Sequence, residues 1–115
     1  MTTPLRDRRC TRIEKGCMPL NDAAAHVLLE QVHGDWSYDR DAAAIRREFR
    51  FRNFHETMAF VNALAWIAHS EDHHPDLDVG YNRCGVGYST HAAGGLTDND
   101  FICAAKIDAL LPGVD

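Results

Sequence analysis

Two alternating stretches flank one long helical stretch in this chain, and that arrangement limits the possible folds more than any other feature. Ile45, Phe49 and Phe51 alternate with Arg46, Glu48, Arg50 and Arg52. This is the pattern of an antiparallel strand with one face in the core and one in solvent. Leu77, Val79 and Tyr81 alternate with Asp78, Gly80 and Asn82, and Cys84, Val86 and Tyr88 alternate with Gly85, Gly87 and Ser89. The second stretch predicts a hairpin turning near Asn82-Arg83. Between the two, Asn53-Phe54-His55-Glu56 has the form of a capping box and opens a helix to about Ser70. Phe54, Met58, Val61, Leu64, Ala65 and Ala68 recur along it at helical spacing, with Phe60 and Ile67 widening the stripe.

Shorter elements complete the order. Asn21 can cap a helix to about Val32 that carries Ala24, Ala25, Val27, Leu28 and Leu29, with Gly34 as its stop. Trp36 to Tyr38 supplies a short partner for the strand at 45–52. Thr97, with Asp100 three residues on, caps a last helix bearing Phe101, Ala104, Ala105, Ile107, Leu110 and Leu111 up to Pro112-Gly113. The order α-β-β-α-β-β-α, with helices alternating with strand pairs, predicts an α+β fold. In it, three helices pack on one face of a four-stranded antiparallel sheet. A chain of 115 residues is long enough for one such domain, over 19–115. Residues 1–18 lack apolar periodicity and read as a disordered N-terminal arm, or as a segment preceding a translation start at Met18.

The charge excludes several functions. The formal net charge is −5, and the five basic residues before Met18 (Arg6, Arg8, Arg9, Arg12, Lys15), set against only Asp7 and Glu14, leave the rest of the chain acidic. Such a body is a poor ligand for nucleic acid or for an anionic membrane. No apolar run has the length of a membrane span, so a cytoplasmic protein is expected. Cys10, Cys17, Cys84 and Cys103 contain no CxxC and match neither a zinc module nor a disulfide framework; Cys84 and Cys103 read as small core residues.

The chemistry-bearing residues are Glu71-Asp72-His73-His74-Pro75 and Ser89-Thr90-His91. Pro75 stops a helix and biases His74 toward an extended conformation. If the loop after the central helix meets the exit of the hairpin, His73, His74 and His91 come together. Imidazoles titrate near neutrality, so such a cluster suits proton transfer. A metal pair from His69 and His73 at i, i+4 is the lesser reading, and no metal or other cofactor is expected. Trp36 reads either as a core plug or as a ligand contact. The arginine row at 46–52 reads as a solvated face or a charged edge.

Trp36, Phe49-Arg50-Phe51-Arg52-Asn53-Phe54, Asp72-His73-His74-Pro75, Tyr81, Ser89-Thr90-His91, Gly94-Gly95-Leu96-Thr97 and Asp100 together resemble the pterin-4a-carbinolamine dehydratases. The resemblance covers residues 20–112. It implies the α+β fold just described and assembly as a homodimer or a homotetramer. It also implies dehydration of 4a-hydroxytetrahydropterin to the quinonoid dihydropterin, following an aromatic amino acid hydroxylase. Catalytic roles fall on His73, His74 and His91, and substrate-binding roles on Asp72, Pro75, Ser89, Thr90 and Trp36. Within that set, His74 and His91 are expected to move protons while His73 orients or shares the acid role. His69 stands where some relatives carry glutamate. Other relatives are dimerisation or assembly partners of other proteins, so a non-enzymatic role is the alternative.

Overall fold

The structure, a computed structural model, describes residues 3–111. Its elements follow the expected order: α1 (Asp22–Leu29), β1 (Ser37–Asp39), β2 (Ala44–Arg50), α2 (Phe54–Glu71), β3 (Asp76–Val79), β4 (Arg83–Tyr88) and α3 (Asp98–Asp108). The four strands form one antiparallel sheet in the order β1-β2-β4-β3. Among the described residues, no helix is long and apolar enough to cross a membrane.

The sheet follows from the alternation. Ile45 and Phe49 of β2, and Cys84, Val86 and Tyr88 of β4, enter one core with Ala25, Phe60, Leu64, Phe101, Ile102 and Ile107 from the helices. Burying each large apolar side chain contributes on the order of 1.5–3 kcal/mol. The opposite face is polar, and its rows run Arg46–Gly87–Asp76 and Glu48–Gly85–Asp78 across the strands. Cys84 and Cys103 are fully buried, as their periodic placement predicts.

Arg47 departs from the alternation. It lies on the core face, 8% exposed, with its guanidinium 4.2 Å over the Phe49 ring. Its Nη1 donates to Asp108 Oδ1 at 2.7 Å, and Nε has no partner among the described residues. Asp108 also accepts from the Trp36 indole at 2.8 Å and from the His33 amide at 3.0 Å. Three donors around one carboxylate make this charged pair tolerable in the core.

Helix boundaries and faces differ in detail from the expectation. α1 ends at Leu29, and turns carry the chain to Trp36, so Gly34 is not its stop. Val27 is exposed. α2 buries Thr57, Phe60, Leu64 and Ala68, while Phe54, Ala65 and Trp66 lie outside the core. The Thr57 hydroxyl is held by the carbonyls of Asn53 and Tyr81, which rotates the buried stripe toward that side of the helix. α3 ends at Asp108, and the expected stop at Pro112-Gly113 lies outside the described residues.

A disordered segment is expected over 1–18; the described part of it docks on α2 and α3. Leu5 is 4% exposed within the core. Thr11 N–H donates to Asn99 Oδ1 at 3.0 Å, and Asn99 Nδ2 donates to the Thr11 carbonyl at 2.7 Å. Cys10 N–H donates to Glu71 Oε1 at 2.7 Å, and Arg9 pairs with Glu71 Oε2 at 2.7 Å. Two nearly buried side chains thus take the place of a neighbouring strand. The arm shows no apolar period because polar contacts, with Leu5 as an apolar anchor, hold it.

Candidate active site

α2 needs an abrupt stop for its following histidines to be displayed, and Asp72 provides it. Asp72 adopts the left-handed conformation (φ 51°, ψ 44°), and its N–H returns to the carbonyls of Ala68 and His69. Aspartate tolerates this region better than most residues. His73 N–H then bonds the Ala68 carbonyl at 3.1 Å, which turns the His73 side chain back toward the core. His69 remains on the exposed helix end, tilted against Trp66. The i, i+4 relation of a metal pair is broken by that turn, and His73 is committed elsewhere.

His73 stacks on Tyr88, with ring centroids 5.1 Å apart and planes 15° apart. The Tyr88 hydroxyl donates to the His73 carbonyl at 3.1 Å. On its other side, His73 Nε2 lies 2.6 Å from Asp100 Oδ1. Asp100 is fully buried at the start of α3, where it closes a capping box with Thr97. Its Oδ2 accepts from the Thr97 N–H and the Thr90 hydroxyl, each at 2.9 Å. With Thr90 donating to Asp100, the hydrogen of the 2.8 Å Thr90–Thr97 contact comes from Thr97. Every lone pair used on Asp100 faces a donor, so Nε2 of His73 carries its proton toward the carboxylate and leaves Nδ1 as the second ring position.

The electrostatics follow. Burial opposes a charged His73, but the Asp100 hydrogen bond and charge outweigh it, with Cys103 and Asp72 adding. The His73 pKa is therefore raised above that of an ordinary imidazole. Glu71 is the reverse case. Burial opposes its charge, but the Cys10 N–H, Lys106 and Arg9 outweigh that and lower its pKa. Glu71 holds the arm, while its side chain forms part of the cavity wall.

β4 runs into Ser89, Thr90 and His91. The Ser89 hydroxyl donates to the Ala43 carbonyl at 2.7 Å. His91 opens a short 3-10 turn ended by Gly94 at φ +71°. Gly95 then pairs with Thr90, and a Cβ there would come within 2.9 Å of Pro19. The loop is thus held against the body, with His91 at its tip.

These segments enclose a cavity of about 690 Å³. Asp72, His73, His74, Ser89, Thr90 and His91 all line it, so the structure brings together the three histidines and three of the other candidate residues. His74 and His91 are exposed, and their rings make no hydrogen bond to the described residues. A pair of free imidazoles beside one held imidazole can give and take protons on a molecule bound between them. Trp36 and Pro75 do not line this cavity. Trp36 is 4% exposed and bonded to Asp108, which makes it a core plug. Pro75 sits between His74 and the first residue of β3.

The sequence reading missed the roles of Asp100, Asn99 and the arm. Asp100 was visible as a helix-capping residue and as part of the family resemblance, but not as the partner of His73. The arm contributes Cys10, Thr11, Arg12 and Ile13 to the cavity, beside Asn99. A second cavity, of about 440 Å³, lies across the polar face of the sheet and contains no histidine.

Comparison with known proteins agrees with this geometry. Residues 18–110 match the family model described as pterin 4 alpha carbinolamine dehydratase. A candidate pterin-4-alpha-carbinolamine dehydratase of Nitrosomonas eutropha is 54% identical over 93% of this chain and 93% of its own. One of Legionella pneumophila is 54% identical over 96% of this chain and 98% of its own. The crystal structure of a transcriptional coactivator/pterin dehydratase from Brucella melitensis superposes with a TM-score of 0.76 at 30% identity, covering 80% of this chain and 97% of that one. A pterin dehydratase-like protein described as a RuBisCO assembly factor in the alpha-carboxysome shares the fold, with a TM-score of 0.59 at 23% identity, covering 68% and 90%. The chain belongs to the pterin-4a-carbinolamine dehydratase family.

Proposed function

We propose that this protein is a cytoplasmic dehydratase that converts 4a-hydroxytetrahydropterin to quinonoid dihydropterin and water. The observation that carries the reading is the convergence of His73, His74 and His91 on one cavity, with His73 held by a buried carboxylate. The C4a–O bond breaks as the hydroxyl is protonated. The N5 lone pair forms the C4a=N5 bond, and the N5 proton goes to a base. His74 and His91, their rings without hydrogen bonds to the described residues, carry these two transfers. His73, charged through Asp100, orients the substrate and lends positive charge beside the departing hydroxyl. Asp72, Ser89 and Thr90 shape the cavity. The substrate comes from a hydroxylase that oxidises the pterin at C4a.

The test follows the decay of chemically generated 4a-hydroxytetrahydropterin by its ultraviolet absorbance. Wild type is expected to accelerate it. His74→Ala and His91→Ala should each slow turnover about a hundredfold or more with circular dichroism unchanged, the usual scale for a general acid or base. Near wild-type rates in both variants would remove the assignment and favour a non-enzymatic binding role.

We further propose a homo-oligomer formed through β3. Among the described residues, β3 pairs along one edge alone, and Leu77, Val79 and Tyr81 are exposed beside it. Such an edge invites a second copy.

A further inference from the structure

Cys10 and Cys103 lie 93 residues apart in sequence, yet their sulfurs are 3.6 Å apart. Cys103 is fully buried on α3, behind His73 and Tyr88. Cys10 is half-buried and lines the candidate active-site cavity. No third cysteine joins them: Cys17 is exposed further along the arm, and Cys84 is buried in the sheet. The Cys10 backbone is anchored to Glu71, and the next residue is clamped by Asn99. The polar contacts of the arm therefore hold one thiol against another at the cavity wall.

We propose that Cys10 and Cys103 form a reversible disulfide that fastens the arm to α3 as a covalent wall of the cavity. This does not rest on the dehydratase reading. An S–S bond is about 2.05 Å long, so the sulfurs must close by about 1.5 Å. The arm is the segment able to move, because Cys103 is set within a helix and the core. The oxidant is a peroxide small enough to enter the cavity. The two thiols lose their first proton as a unit, leaving a thiolate that accepts the other S–H. The Cys10 S–H, with the nearby Tyr88 hydroxyl and His73, lowers the Cys103 pKa against the opposing effect of burial. The Cys103 hydrogen bond, burial and Glu71 raise the Cys10 pKa, so the Cys103 thiolate takes the Cys10 proton as the cavity-facing Cys10 sulfur attacks one peroxide oxygen. The O–O bond breaks, a sulfenic acid forms on Cys10, and the departing hydroxide takes up a proton. The Cys103 sulfur then displaces the sulfenic oxygen as water. In sum, two thiols and hydrogen peroxide give one disulfide and two waters. A dithiol reductant restores the thiols.

The experiment treats the full-length, reduced protein with stoichiometric hydrogen peroxide, alkylates it, and digests it without reduction for mass spectrometry. The proposal expects loss of two hydrogens in intact mass, two unalkylated cysteines, and one linked peptide pair joining Cys10 to Cys103. Dithiothreitol should return all four thiols. Cys17→Ser should keep the link, and Cys10→Ser should abolish it. Cys10→Ser lies on the arm, so it serves if Cys103→Ser fails to fold. Amide hydrogen exchange at residues 8–13 should slow several-fold on oxidation and recover on reduction. Four intact thiols, oxygen adducts without a link, or a link through Cys17 would overturn the disulfide. Unchanged exchange at 8–13 in the linked protein would overturn the wall.

Discussion

Asp100 makes three hydrogen bonds from the first turn of α3, and one of them ends on His73. That contact fixes both a protonation state and a pH dependence. A pKa raised in the folded chain means that folding favours the charged ring. The stabilisation is fully present below the unfolded value, about 6.5, and fades as pH rises through the raised folded value. Asp100→Asn should therefore lower the His73 pKa in an NMR titration and flatten the fall in melting temperature above neutrality. Loss of a charged hydrogen-bond acceptor should also cost roughly 1.5–3 kcal/mol at pH 6. An unmoved His73 titration would separate the two residues. Chelation is a second test at this scale. If imidazoles alone carry the protons, dehydration should survive exhaustive treatment with chelator, whereas loss restored by zinc would move the chemistry to a metal.

Asp72 is where α2 ends and the site begins, so its backbone and its carboxylate can be tested apart. Asp72→Gly keeps the left-handed stop and should leave the melting temperature within a degree or two of wild type. Asp72→Val forces a β-branched residue into that region and should cost about 1–2 kcal/mol. Equal stability of the two variants would show that the stop does not depend on this residue. The elements that the sequence announces are those set by neighbours along the chain. Asn53 and Thr97 cap their helices as their spacing implies, and the strand pairs obey their alternation. The histidine cluster was legible too, because its segments bracket the hairpin. What stayed hidden depends on distant partners. The arm docks on Glu71 and Asn99, which lie 61 and 88 residues from the residues they hold. Trp36 is fixed as core by Asp108, 72 residues away. Arg47 breaks the alternation because of that same carboxylate.

At the scale of the whole molecule, the helices cover the middle of the sheet and leave β3 bare. Leu77 and Val79 are each 39% exposed on the face that the helices cover elsewhere. Sedimentation equilibrium at micromolar concentration should give a multiple of 12.9 kDa. The double substitution Leu77→Lys, Val79→Lys should return the single-chain mass without unfolding the domain. A wild-type protein that already sediments as one chain would end the oligomer proposal. The docked arm has a consequence for the making of the protein. Residues 8–11 are held by Asp98 and Asn99, far along the chain. In synthesis the arm precedes α3, so its place there does not exist until α3 has been translated. One wall of the cavity is therefore completed only after α3 is made, by residues made before α1. A nascent chain stalled before residue 98 would have two of the histidine-bearing segments, but neither the carboxylate that charges His73 nor a surface for the arm.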